Sequence, residues 1–102
     1  MIVNITARHF ELTDGIQEYI NKELTKLKKY FDNTMNVKVI LDMEKYRNIC
    51  EINIKVAGQE LNAGDETNDM YSSINNTIEK MERSIKKLKE QLRDHKPYDV
   101  TK

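Results

Sequence analysis

The chain has 102 residues, with 17 basic and 17 acidic side chains, two histidines and a single cysteine. This length suffices for one domain and leaves no room for a second hydrophobic core. A single cysteine excludes an internal disulfide framework. No apolar run approaches the roughly 20 residues that a membrane helix needs. The N-terminus lacks the basic start and the apolar stretch of a signal peptide. We therefore expect a cytoplasmic protein without a membrane segment.

The first half of the chain predicts a strand, a helix and a second strand. Apolar and polar residues alternate over residues 3–7, which is typical of a strand with one buried face. Thr13 is a good helix N-cap, and apolar residues then recur at helical spacing towards Asp32 and Asn33, where we expect the helix to end. The apolar stripe of this helix consists of Ile16, Ile20, Leu24, Leu27 and Phe31. Residues 37–44 change to a period of two and predict the second strand.

The middle of the chain predicts two further strands. Residues 45–48 have the composition of a loop, and residues 50–56 alternate as a strand with Cys50 on its buried face. Gly58 and the residue after it predict a tight turn, because glycine is free to take a positive φ. A short last strand then follows at residues 61–63.

The last third of the chain predicts a polar link at residues 64–68 and then the longest helix. Its apolar residues are spaced four, three, four, three and four apart, which produces one buried stripe. This stripe consists of Ile74, Ile78, Met81, Ile85, Leu88 and Leu92. Pro97 cannot continue the helix.

The order of these elements predicts an α+β fold of two layers. Short loops join the last three strands into an antiparallel meander, while the helix between the first two strands allows them to pair in parallel. Both helices then cover one face of a four-stranded sheet, in the order β-α-β-β-β-α. We expect one domain over residues 1–97 and a short tail at residues 98–102. The predicted core consists of Ile5, Ile20, Leu24, Leu27, Val39, Leu41, Ile52, Ile54, Ile78, Met81 and Ile85.

Few residues support catalysis or cofactor binding. The only histidines are His9 and His95, and no serine or cysteine lies in a recognisable nucleophile setting. Cys50 shares an apolar strand face, where a free cysteine behaves as a small hydrophobic residue. The acidic residues Asp65, Glu66 and Asp69 fit no calcium-loop spacing and are explained by loop solubility. We therefore expect a protein that is not an enzyme and that binds no cofactor or metal.

Basic residues form a row on each predicted helix. The row on the last helix lies roughly 180 to 240 degrees from the apolar stripe when each residue advances by 100 degrees, and consists of Asn76, Lys80, Arg83 and Lys87. The row on the first helix consists of Lys22, Lys26 and Lys29. Lysines on an exposed helix face often serve solvation alone, but two acid-poor rows on one side of a sheet can join into a groove for a phosphate backbone. The pattern favours a nucleic acid as the ligand.

The start of the last helix carries a second cluster. Asp69 can cap the helix, while Tyr71 either packs on the edge of the sheet or offers its ring to a base. The apolar stripe also resembles a coiled-coil seam, but it covers only about two and a half heptads, fewer than a persuasive seam needs. Packing against the sheet explains the stripe better.

Three blocks of sequence, in order along the chain, resemble a known family. The first block consists of two segments of the first helix region, RHFELTD at residues 8–14 and KLKKYFD at residues 26–32. The second block is DMYSSIN at residues 69–75, and the third is EKMERSIKK at residues 79–87. Together they resemble the ribosome hibernation-promoting factors, also called ribosome-associated translation inhibitors. The resemblance extends from residue 1 to about residue 96.

The resemblance implies a sandwich fold similar to double-stranded RNA-binding domains, and it implies binding to the small ribosomal subunit and its rRNA between head and body. There the protein would block the mRNA and tRNA sites. The positions that match the family's basic helix residues are Lys26, Lys29, Lys80, Arg83 and Lys87, and Lys22 of the same row completes the predicted rRNA-binding set. Its helix-start motif corresponds to Asp69, Met70 and Tyr71.

The chain resembles the short type of this family, which silences ribosomes in stationary phase or stress. That type favours ribosome dimers together with a separate ribosome modulation factor, and we expect it to be a monomer when free in solution. Two other functions stay open at this point. One is binding of another structured RNA through the same basic face, and the other is a protein-interaction module that associates through its last helix.

Overall fold

The computed structural model describes residues 1–31 and 35–94 and shows a four-stranded sheet with two helices packed on one face. The strands are β1 (Ile2–Arg8), β2 (Asn36–Glu44), β3 (Arg47–Val56) and β4 (Gln59–Thr67). The helices are α1 (Asp14–Thr25), which continues as a 3-10 turn over Lys26–Lys29, and α2 (Met70–Asp94). The predicted α+β sandwich is confirmed. Predictions that lie outside the described residues concern Asp32, Asn33, His95, Pro97 and the tail at residues 98–102.

The order of the strands across the sheet, β1-β2-β3-β4, is their order along the chain. β1 pairs with β2 in parallel, and the two later pairs are antiparallel, as predicted. The first hairpin turns at residues 45–46, so it is tighter than the predicted loop, because Arg47 already pairs with Glu44. The second hairpin turns at Ala57 and Gly58, with φ of 52° and 74°. Two successive positive φ values match the right-handed twist of the flanking strands.

The first helix is shorter than its apolar stripe predicts. Its N-cap is Thr13, as expected, whose side-chain oxygen accepts a hydrogen bond from the Ile16 amide at 3.1 Å. The α-helix ends at Thr25, where the threonine hydroxyl donates to the carbonyl of Asn21 at 2.8 Å. A threonine hydroxyl that bonds the carbonyl four residues earlier slightly destabilises a helix and bends it, and here the chain tightens into the 3-10 turn. Leu27 in that turn still reaches the core and is fully buried.

β4 is longer than predicted, because residues 64–67 belong to the strand and not to a link. Gly64 pairs with Glu51 and Thr67 with Asn48 across the sheet. Polar residues are tolerated here because β4 is an edge strand with one neighbour. Asp65 and Thr67 lie on the helix-covered face and are half-buried, while Gly64 and Glu66 are exposed.

One hydrophobic core fills the space between the sheet and the helices. Every predicted core residue is buried except Ile5, which is half-buried because β1 is an edge strand. The apolar stripe of α2 is buried through Leu88, but Leu92 is 43% exposed and lies past the covered part of the helix. The core also contains Ile16, Ile74 and Leu88 of the predicted apolar stripes, together with Met35, Val37, Cys50, Val56 and Met70. Neither described helix is long and apolar enough to cross a membrane.

His9 follows β1 in a left-handed conformation with φ of 65°, and its Nδ1 lies 2.7 Å from Asp42 Oδ1. The hydrogen bond to Asp42, followed by the charge of Asp42, raises the pKa of His9 above its ordinary 6.5. A raised folded-state pKa stabilises the fold below the unfolded-state pKa, and this stabilisation is lost as pH rises through the folded-state value.

We expect the His9 ring resonances in an NMR titration to report a pKa above that of a free histidine. Asp42→Asn should return the midpoint of the titration towards the ordinary value, because the carboxylate is the partner. An unchanged His9 midpoint in that variant would mean that the pair does not form in solution.

Candidate nucleic-acid interface

The predicted basic row on the first helix is solvent-exposed but partly paired. Lys26 Nζ lies 2.9 Å from Glu23 Oε1, and Lys29 Nζ lies 3.4 Å from Glu82 Oε2 on α2. The hydrogen bond with Glu23 raises the pKa of Lys26, and interaction with Tyr30, then with Glu82, raises the pKa of Lys29. Both ammonium groups therefore stay charged at neutral pH, with more than half of each side chain exposed. Lys22 is exposed and has no ion pair with another described residue.

The row on α2 divides into two parts. Lys80 lies against the sheet edge, where its Nζ donates to the Gly64 carbonyl at 3.0 Å and lies 3.3 Å from Asp65 Oδ1. Asn76 Nδ2 donates to the same carboxylate at 2.8 Å, and this hydrogen bond is the main reason that the pKa of Asp65 is lowered. Arg83 and Lys87 are exposed and have no ion pair with a described residue. The prediction that the whole row faces away from the core is therefore wrong for Asn76 and Lys80.

The prediction that the two basic rows join into one groove is also wrong. α2 packs over β3 and β4, so the flank that carries Lys80 borders β4. The opposite flank faces α1, where Glu82 accepts a hydrogen bond from the Tyr30 hydroxyl at 3.1 Å and pairs with Lys29. Residues 80 and 82 are roughly 200 degrees apart on the helix, which places α2 itself between the two predicted rows.

A different set of basic residues does meet between the helices. The 3-10 turn and the second half of α2 enclose an open cleft of about 370 Å³. It is lined by Lys29, Tyr30, Lys86, Lys89, Glu90 and Arg93. Four of these six side chains are cations, and one is an acid. The angular distance of a residue from the core stripe does not predict this cleft, because the cleft depends on which flank of α2 faces α1.

A signal for the cleft was present in the sequence. Lys86, Lys89 and Arg93 are spaced three and four residues apart, so they share one flank of the helix with Glu82. The contact between the two helices could not be derived from that spacing. It needs the position of the 3-10 turn, which the apolar stripe of the first helix did not predict.

The residues of the helix-start motif, Asp69, Met70 and Tyr71, cap α2 and pack it against its neighbours. Asp69 Oδ2 accepts hydrogen bonds from the amide of Ser72 at 3.0 Å and from its hydroxyl at 2.9 Å, so Asp69 caps α2 as predicted. Met70 is buried. The Tyr71 ring packs edge-to-face on Tyr19 at 5.1 Å between centroids, and therefore lies on α1 and not on the sheet edge.

Tyr71 approaches the backbone of α1 closely. A Cβ atom at Gly15 would lie 3.3 Å from the Tyr71 hydroxyl, so the absence of a side chain at position 15 makes room for the ring. About 43% of Tyr71 stays exposed, which leaves part of the ring accessible beside the start of both helices.

The acidic and histidine side chains of the described residues do not cluster into a metal site. Among them, no group of three histidine, cysteine or carboxylate side chains could hold a metal ion. Asp65, Glu66 and Asp69, considered above as a cation site, bond instead to Lys80, Arg47 and Ser72.

Cys50 is completely buried, and its burial raises the pKa of the thiol to about 12. Because the thiolate is the nucleophile, we expect Cys50 to resist thiol reagents in the native protein near neutral pH. Labelling should become fast only in denaturant, as measured by mass spectrometry of the alkylated chain. Fast native labelling would show that β3 opens readily.

Comparison with known proteins places the chain in a family. Residues 3–93 match the family model described as Sigma 54 modulation protein / S30EA ribosomal protein. The chain is 35% identical over 95 residues to the ribosome hibernation promoting factor of Escherichia coli K12, covering 93% of this chain and 100% of that protein. It is 36% identical over 90 residues to the ribosome hibernation promoting factor of Pseudomonas putida KT2440, covering 88% of each.

Solved structures agree with these sequence matches. The N-terminal domain of Thermus thermophilus Protein Y superposes with a TM-score of 0.80 and 26% identity, covering 86% of this chain and 99% of that domain. A ribosomal subunit interface protein from Coxiella burnetii superposes with a TM-score of 0.81 and 26% identity, covering 87% and 98%. The chain therefore belongs to the Sigma 54 modulation protein / S30EA ribosomal protein family, which includes the ribosome hibernation promoting factors.

Proposed function

We propose that this protein is a ribosome hibernation factor, not an enzyme, and that it binds rRNA of the small ribosomal subunit in the cytoplasm. Bound at the decoding region, it excludes mRNA and tRNA and keeps the ribosome inactive in stationary phase or stress. It acts together with a ribosome modulation factor when inactive ribosomes dimerise. The names of the relatives support the hibernation role, and the basic surface of the helices supports RNA as the ligand.

The observation that carries the RNA proposal is the convergence of cations between the two helices. Lys29, Lys86, Lys89 and Arg93 line one cleft, and Arg83 and Lys87 are two further exposed cations of α2 outside the cleft. Two acids on the same helix are engaged by local partners, since Glu82 accepts a hydrogen bond from the Tyr30 hydroxyl and Glu79 accepts one from Asn75 at 3.2 Å. A phosphate backbone responds to this local field and not to the net charge, which is zero for the whole chain.

The geometry suits a structured RNA better than a single base. The cleft is open and is lined by long flexible cations, which contact phosphates without reading sequence. Folded RNA is recognised mainly through its backbone and shape. The proposed contact is therefore with the rRNA backbone, at a position set by the shape of the two helices.

The apolar stripe of α2 leaves little exposed surface through which the helix could pair as a coiled coil. The seam residues Ile74, Ile78, Met81, Ile85 and Leu88 are buried beneath α2, and Leu92 alone of the stripe is substantially exposed. Binding of another structured RNA remains a distinct outcome. It would appear as RNA binding without association with the small subunit.

Co-sedimentation with purified small subunits over a range of monovalent salt tests the proposal. Each phosphate contact releases a counterion. We therefore expect the logarithm of the association constant to fall linearly with the logarithm of the salt concentration, by about 0.7–0.9 per phosphate contact. Sedimentation with the small subunit and a slope of several units would support the proposal. Failure to sediment at low salt, or binding that salt does not weaken, would contradict it.

A further inference from the structure

The flank of α2 that faces α1 carries charges of opposite sign in its two halves. Six residues share this flank, because each directly follows a member of the apolar stripe and the six are spaced four, three, four, three and four apart. We call them the inter-helix row, which consists of Asn75, Glu79, Glu82, Lys86, Lys89 and Arg93. The sign of the charge changes once along the row, between Glu82 and Lys86.

Contacts with α1 place this row in the groove between the two helices. Glu82 Oε2 accepts a hydrogen bond from the Tyr30 hydroxyl at 3.1 Å and lies 3.4 Å from Lys29 Nζ. The three cations of the row line the open cleft together with Lys29 and Tyr30. Glu90 is the single acid among the six residues that line this half of the groove.

The first half of the groove carries carboxylates on both walls. On α1, Glu23 is only 6% exposed, and its Oε1 lies 2.9 Å from Lys26 Nζ. On α2, Glu79 is exposed and accepts a hydrogen bond from Asn75. Burial raises the pKa of Tyr19, and the charges of Glu23 and Glu79 add to this increase. Both carboxylates therefore act on one ring at this end of the groove.

We propose that Glu79 and Glu82 confine an RNA backbone to the second half of the groove and thereby fix its register along α2. This inference rests on the proposed binding of RNA. Asn75 is a neutral donor, so Glu79 keeps its charge and repels a phosphate that enters the first half. A phosphate in the second half meets the three cations of the row, which span about 10 Å along the helix axis.

Glu82 also holds a cation at the boundary between the two halves. Its carboxylate pairs with Lys29, whose Nζ lies 5.2 Å from the centroid of the Tyr30 ring. An ammonium group has three donors, and 64% of the Lys29 side chain is exposed, so donors remain for a phosphate oxygen. The backbone is therefore expected to enter the groove at Lys29 and to follow α2 towards Arg93.

An NMR titration of the chain with a short RNA hairpin tests the confinement. In wild type, the amide signals of residues 29–30 and 86–93 should shift, while those of residues 75–79 should not. Glu79→Gln with Glu82→Gln removes both charges and keeps an acceptor oxygen at each position. In that variant the shifts should extend to residues 75–79, and the hairpin should bind at least about threefold more tightly, because like charges a few ångströms apart repel even in water.

The matched control is Glu51→Gln with Glu60→Gln, which gives the same change in net charge on the open face of the sheet. It should leave the affinity and the pattern of shifts as in wild type. Wild-type shifts over the whole inter-helix row, or no shifts in the cleft, would overturn the inference. So would an unchanged pattern or affinity in the Glu79 and Glu82 variant, or an equal gain of affinity in the control.

Co-sedimentation of wild type with small subunits separates this inference from the proposed function. A chain that shows the expected pattern with the hairpin but does not sediment with the subunit would contradict the ribosome proposal and support the confinement. A chain that sediments with the subunit but shows shifts over the whole row would support the ribosome proposal and overturn the confinement.

Discussion

Reversing the charges of Arg83 and Lys87 should strongly weaken binding to the small ribosomal subunit. Both side chains are exposed on α2 and have no ion pair with a described residue, so Arg83→Glu with Lys87→Glu removes two cations without breaking a described contact. Each lost phosphate contact reduces the salt slope by about one, so the double variant should show a slope lower by about two. Co-sedimentation over a salt series measures both quantities.

A second pair tests the cleft between the helices. Lys86→Glu with Lys89→Glu changes the net charge by the same amount and should weaken binding comparably, because both residues line the cleft with Lys29. If the RNA contacted only the basic row opposite the core stripe, Lys86 would have little effect on binding. This pair of substitutions therefore distinguishes binding through that row from binding through the cleft.

The matched control lies on the opposite face of the sheet. Lys38 and Lys55 are exposed on β2 and β3, away from the helices, and reversing both gives the same change in net charge. This control should bind nearly as wild type. Equal weakening in all three pairs would mean that net charge alone governs binding, and unchanged binding in both helix pairs would mean that the helix surface is not the interface.

The largest expected effect on stability comes from the core beneath the helices. Leu27→Ala and Ile78→Ala each remove a large side chain that is at most 3% exposed, and each should cost about 2–5 kcal/mol. A domain of this size has about 5–15 kcal/mol in total, so either variant should melt at least about 10 °C below wild type. Thermal denaturation followed by circular dichroism measures the shift.

Leu92→Ala provides the matched control for the same chemical change. Leu92 belongs to the same apolar stripe but is 43% exposed, so its removal should lower the melting temperature by much less. If Leu27→Ala melted like wild type, or if Leu92→Ala cost as much as Leu27→Ala, the assignment of the core faces would be incorrect.

Apolar periodicity was sufficient to predict the fold, because each element has one apolar face and one arrangement buries all of them. It was least informative where tertiary contacts decide the conformation. The segment Gly64–Thr67 looked like a link, yet the pairing with β3 and the bonds of Asp65 to α2 make it a strand. No local property of those polar residues distinguishes a solvated link from an edge strand.

The candidate site was predicted in part. The sequence predicted basic residues on an exposed face of each helix, and Arg83, Lys87 and Lys22 are exposed; their contact with rRNA stays a prediction. It did not indicate that Lys80 would bond β4, because its partner lies 15 residues earlier on another element. The cleft was missed for a similar reason, since its position depends on the contact of Tyr30 and Lys29 with Glu82.

Competition on isolated small subunits tests the central claim most directly. Small subunits are loaded with mRNA and labelled initiator tRNA, increasing amounts of the protein are added, and retained tRNA is measured after sedimentation. The proposed occupation of the decoding region predicts that tRNA is lost as the protein binds, and that Arg83→Glu with Lys87→Glu causes little loss at the same concentration. Subunits that hold the protein, mRNA and tRNA together at saturation would contradict it.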